Sequence, residues 1–69
     1  MKTYTLSTVT ARDLESLRDD AGNAGDIPCY NDAVKALFWL QSAGAAMGVR
    51  CRAAARCVAV LNAAEAARD

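Results

Sequence analysis

The chain has no histidine, only one proline and four glycines, and its aromatics are one Phe, one Trp and two Tyr. Without histidine there is no ready general base at neutral pH and no imidazole metal ligand, which argues against most hydrolytic and zinc-dependent chemistry. No glycine-rich phosphate loop and no pair of carboxylates flanking a cleft is visible, so the chain reads as a non-enzyme that needs no metal or cofactor. No apolar run reaches the roughly 20 residues that span a bilayer. The three cysteines, Cys29, Cys51 and Cys57, are an odd number. Their spacings match no zinc pattern. With no signal-peptide pattern at Met1, reduced thiols in a cytoplasmic protein are expected.

What the chain does have is alanine. Apolar residues make up 54% of the sequence, but 16 of them are Ala. Alanine favours helix and lets helices approach closely, yet it buries little area. A single domain of 69 residues with so thin a core usually gains stability from a staple or a second subunit. Net charge is zero overall but polarised. Residues 1–32 carry six acids against three bases, and residues 33–69 carry five bases against two acids. Such polarity suits head-to-tail or antiparallel self-contact.

The expected fold is all-α, two or three short helices with an extended N-terminal arm, assembled as a helical homodimer. Residues 1–9 alternate Tyr4 and Leu6 with Thr and Ser, a strand-type pattern with no second strand to pair with. An ordered arm over the core is the reading taken, with a loose arm or self-pairing between copies as the alternatives. Thr10 and Asp13 make a near-match to a capping box, which starts a helix over 11–22 with Leu14, Leu17, Ala21 and Ala24 as its apolar stripe. Gly22-Asn23-Ala24-Gly25 should end it. Asp26 is the next N-cap, with Pro28 in the first turn of a helix over 27–47. A third helix is expected over 49–66, with Val49, Ala53, Cys57, Val60, Leu61 and Ala64 facing the core. Gly48 either separates these two helices or lies within one bent rod.

The middle helix is the informative one. At about 100° per residue, Ala33, Leu37, Leu40, Gly44 and Met47 form a stripe, widened by Tyr30 and Val34 to core-facing width. Trp39 points the other way, among Asp32, Lys35, Ala36, Ser42, Ala43 and Ala46. An aromatic on a small and polar face is the pattern of a binding anchor, because Trp covers much area with few rotors to freeze. Alanines around it would let another helix close in. The candidate partner-binding residues are therefore Trp39, Phe38, Tyr30, Asp32, Lys35, Ala36 and Ala43, against the plainer reading that Trp39 is covered within the chain.

Other features have plainer readings. Cys29 sits at a helix start, where the dipole lowers a thiol pKa, but Asp26 and Asp32 oppose thiolate formation, so it reads as a structural thiol. Arg50, Arg52 and Arg56 are the one basic cluster and the basis of a rival reading as a small nucleic-acid-binding regulator. A solvated face is favoured, since Arg50 points away from the other two. Asp13, Glu15, Asp19 and Asp20 keep the first helix soluble, or else dock on a basic surface.

The run LESLRDDAGNAGDIPCYNDAVKAL and the later AAARCVAVLNAAEAARD resemble short phage and prophage proteins of unassigned function, which carry an LR-x-x-A-x-x-x-GD segment, a helix and an Ala-rich tail. Tyr30-Asn31-Asp32-Ala33-Val34 and Trp39-Leu40-Gln41-Ser42-Ala43 further resemble pieces of a small phage anti-activator that binds a LuxR-type quorum-sensing regulator and a pilus ATPase, in which the two segments lie closer together. The resemblance implies a phage-type accessory protein in the host cytoplasm. It would bind a host protein and inhibit or modulate it, whether for anti-defence or for regulatory takeover. A structural phage component is the remaining alternative.

Overall fold

The computed structural model describes residues 2–43 and 51–68, Ala43 by its backbone alone. Those residues form three helices and no strand: α1 Ala11–Ala24, α2 Ile27–Ala43 and α3 Arg52–Arg68.

α1 begins where the sequence expects it. Thr10 is extended, its Oγ1 accepts the Asp13 N–H at 3.3 Å, and its own N–H donates to Asp13 Oδ2 at 2.9 Å. Two donors that a helix start leaves unpaired are satisfied reciprocally. The stop differs from expectation. α1 continues through Gly22 to Ala24 and ends at Gly25, whose φ of 75° is the left-handed conformation that glycine adopts without strain. Gly22 faces α2, where a Cβ would lie 3.4 Å from the Tyr30 ring, an ordinary van der Waals contact.

Only Gly25 and Asp26 separate the first two helices. The Asp26 carboxylate accepts the Cys29 N–H at 3.2 Å and its carbonyl accepts the Tyr30 N–H at 2.9 Å, so it caps α2 as read. The expected continuation of α2 to 47 lies outside the described residues, as do Gly44, Ala46, Met47, Gly48, Val49 and Arg50. α3 starts later than expected, at Arg52. Cys51 serves as its cap: the Cys51 carbonyl accepts the Ala55 N–H at 3.1 Å, and Sγ accepts the Ala54 N–H at 3.3 Å. α2 and α3 do not continue one another as a straight helix, because Asp32 and Arg56 meet at 3.3 Å. In one continuous helix they would stand roughly 36 Å apart.

α2 is the central element, packed on α1 and on α3, which barely touch each other. The core is Val9 ahead of α1, Leu14, Leu17 and Ala21 of α1, Ala33, Ala36, Leu37 and Leu40 of α2, and Ala53, Ala54 and Cys57 of α3. Three expectations are corrected here. Tyr30 and Val34 do not widen the core face of α2; both are about two-fifths exposed. Ala36 does not face outward with Trp39; it is completely buried in the cluster that contains Ala54 and Cys57. On α3, Val60 and Ala64 are exposed, and the inward line runs instead through Ala54, Cys57, Val58 and Leu61. The α2–α3 contact underlies the second and third. Alanine and cysteine on α3 and alanine on α2 let the two backbones approach closely, so small residues fill the seam. Larger ones are left at its margins.

The segment before α1 turns at Thr5–Thr8, where Val9 N–H donates to the Thr5 carbonyl at 2.9 Å. The Tyr4 backbone is held at both ends by one side chain of α3. Tyr4 N–H donates to Asn62 Oδ1 at 2.7 Å, and Asn62 Nδ2 donates to the Tyr4 carbonyl at 3.0 Å.

Candidate functional site

The outer surface of α2 carries the exposed large apolar residues of the structure's central helix: Ile27, Tyr30, Val34, Phe38 and Trp39. They divide into two groups. Ile27, Tyr30, Val34 and Phe38 follow one another at spacings of three, four and four, a helical stripe about 100° from the buried line of Ala33, Leu37 and Leu40. Trp39 lies about 120° away on the opposite flank. Phe38 is 64% exposed, Ile27 60% and Trp39 53%, more than single partly covered core residues show.

The neighbouring helices explain the division. α1 runs along the stripe's side of α2, with Gly22 under Tyr30 and Arg18 beside Val34 and Phe38. Between them lies a hollow of about 220 Å³ lined by Arg18, Val34, Leu37, Phe38 and Gln41. α3 lies on Trp39's side, tied by the pair of Asp32 with Arg56.

The sequence-derived site residues are thus distributed as follows. Trp39 and Phe38 are exposed on different flanks, and Tyr30 is half-covered by α1. Lys35 is exposed between Phe38 and Trp39 around the helix. Asp32 is occupied by Arg56, and Ala36 is buried against α3, so α3 itself takes the close-approach face that was read as open to another helix. The Ala43 side chain lies outside the described residues. Ile27 and Val34 were missed as surface residues. Their signal was present: with Tyr30 and Phe38 they form a complete stripe of their own, composed of larger residues than the stripe assigned to the core.

The remaining chemistry is quiet. All three cysteines are free thiols. Burial, followed by the neighbouring thiols and Asp32, pushes Cys57 up to about 11, and burial with Asp26 and Asp32 also raises Cys29. Neither is activated as a thiolate near neutral pH. Among the described residues no group of three or more His, Cys, Asp or Glu side chains could hold a metal ion, and no helix is long and apolar enough to cross a membrane. Of the basic cluster, Arg56 is paired with Asp32 and Arg50 is outside the described residues. The acidic run of α1 is partly committed: Asp13 to the capping box and to Lys2 at 3.6 Å, Asp19 to Arg18 at 3.2 Å. A second groove of about 250 Å³ lies among Tyr4, α1 and the end of α3, with Asp20 and the Glu65–Arg68 pair on its walls.

Among the described residues the fold and surface define a small three-helix arrangement with an apolar outer face on its central helix. No family model matches the chain, and neither a characterised protein nor a solved structure matches it.

Proposed function

We propose that this chain is a small protein-binding module that inhibits or modulates a partner protein, as a phage-type accessory protein acting on a host protein would. The observation that carries this reading is the exposure of Trp39, 53%, on a helix whose other face already fills the core. Exposed aromatics on a rigid helix bury much area on binding at a small entropic cost. The phage and host elements of the reading come from the sequence resemblance. A homodimeric state, and an N-terminal arm that covers the core, belong to the same proposal. The two Asn62 hydrogen bonds to Tyr4 support the second.

Trp39→Ala tests the anchor. Because Trp39 is half exposed, helicity and melting should change little, whereas capture of a host protein by the tagged chain should weaken by about 2 kcal/mol or more, the range of a hot-spot residue. If Trp39→Ala instead unfolds the chain, or leaves capture unchanged, Trp39 is not the anchor.

A further inference from the structure

The stripe Ile27–Tyr30–Val34–Phe38 is only partly covered by α1, with Ile27 and Phe38 about three-fifths exposed. We propose that it is the seam of an antiparallel, two-fold symmetric dimer in which α2 of one copy lies along α2 of a second copy. This rests on the dimeric part of the reading above and assigns that dimer a surface separate from Trp39.

The first argument is self-complementarity. A two-fold interface brings each residue against its mirror position, so the surface must match itself when reversed. Around Val34 its aromatic pair does: Tyr30 and Phe38 lie four residues to either side, while Ile27 meets Gln41 seven residues out at the rim. An axis at Val34 pairs Val34 with its copy and places each Tyr30 opposite Phe38 of the second copy. That Tyr30 ring then meets the hollow of about 220 Å³ between Arg18, Val34, Leu37, Phe38 and Gln41. A foreign helix would require no such symmetry.

Charge sets the direction. Asp26 stands at the Ile27 end of the stripe; Arg18, also paired with Asp19, stands beside Phe38 at the other end. Antiparallel packing sets acid against base and opposes the helix dipoles favourably. Parallel packing would set like against like.

The area is sufficient. At the observed exposures of 60, 38, 40 and 64%, the four side chains present roughly 400 Å² per copy, within the range of the largest patch on a typical monomer. Two copies with their rims then bury about 1,000 Å², the lower bound for a specific interface. The dimer should therefore be reversible at accessible concentrations.

Sedimentation from micromolar to millimolar concentration provides the test. Wild type should approach twice the 7.3 kDa chain mass. Val34→Asp and Phe38→Asp should remain monomeric with an unchanged helical spectrum, their dissociation constants weakened about 100-fold or more. Trp39→Ser should dimerise as wild type does. Orientation is read by cross-linking in a Cys29→Ser, Cys51→Ser background, with buried Cys57 left in place. Under glutathione disulfide, which is reduced to two thiols as one protein disulfide forms, Val34→Cys should link to itself. Ile27→Cys should not, since its two copies would stand roughly 21 Å apart along the seam. A dimer that persists in both Asp variants, or Ile27→Cys self-linking as readily as Val34→Cys, overturns the seam. A wild type that is monomeric throughout overturns the seam and the dimer together, and leaves the Trp39 capture experiment to judge partner binding separately.

Discussion

The α1–α2 hairpin and α3 are built from different materials. The hairpin is joined by two residues, and each of its helices starts on a side-chain cap, Thr10 with Asp13 and Asp26. Leu14, Leu17, Leu37 and Leu40 fill it. α3 brings Ala53, Ala54 and Cys57, a thiol cap at Cys51, the exposed Asp32–Arg56 pair and the Asn62 clamp on Tyr4. A surface ion pair contributes about 0–1 kcal/mol, and alanine contacts bury little area. The difference teaches where stability resides. The hairpin can hold itself through local caps and leucines, while α3 depends on close approach and one bidentate side chain. Hydrogen exchange should open α3 before the hairpin.

The most disruptive change strikes the hairpin. Leu37→Ala, at a side chain 5% exposed, should cost about 2–5 kcal/mol in denaturant unfolding. That loss would approach the whole stability of a domain this small, so both regions should unfold together. If only α3 melts, the hairpin is not the foundation.

Asn62→Ala strikes the other side of the comparison. It removes both hydrogen bonds to the Tyr4 backbone and should cost about 1–3 kcal/mol. The loss should appear as faster exchange in α3 and at the N-terminal residues, with the α1 and α2 amides unchanged.

Asp13 tests the hairpin's cap through pH. Its partial burial disfavours the charged form, but the Thr10 N–H and hydroxyl and the Lys2 ammonium outweigh that and hold its pKa below the usual carboxylate value. A folded pKa below the unfolded one means stability that is fully present above the unfolded value, about 3.9, and lost as pH falls through the folded value. Melting temperature should therefore decline below about pH 4, and Asp13→Asn should flatten part of that decline.

The smallest effect should narrow the contrast instead of widening it. Cys51→Ser replaces a weak sulfur acceptor at the start of α3 with a preferred capping hydroxyl. A gain of about 0.5 kcal/mol in unfolding free energy is expected, confined to exchange in the first turn of α3.

Much of the architecture was legible locally. Thr10 with Asp13 and Asp26 with Pro28 mark helix starts by side-chain and backbone chemistry that operates within a few residues, and the structure places both helices there. Helix ends were less legible. Gly22 reads as a stop, yet it stays helical beside the Tyr30 ring of another helix, and the left-handed cap falls at Gly25 instead. Cys51 gave little sign of capping, since cysteine is seldom used that way.

The sequence by itself determined that α2 carries two apolar stripes side by side, one through Ala33, Leu37 and Leu40 and one through Ile27, Tyr30, Val34 and Phe38, with Trp39 apart from both. Those directions follow from helical geometry and cannot change while the helix exists. Only the tertiary structure decided which stripe is inside. Small residues let α3 close over Ala36 through Ala54 and Cys57 on one flank of the Leu37–Leu40 line. On the other flank α1 covers Tyr30 only in part, so Ile27, Val34 and Phe38 keep much of their exposure.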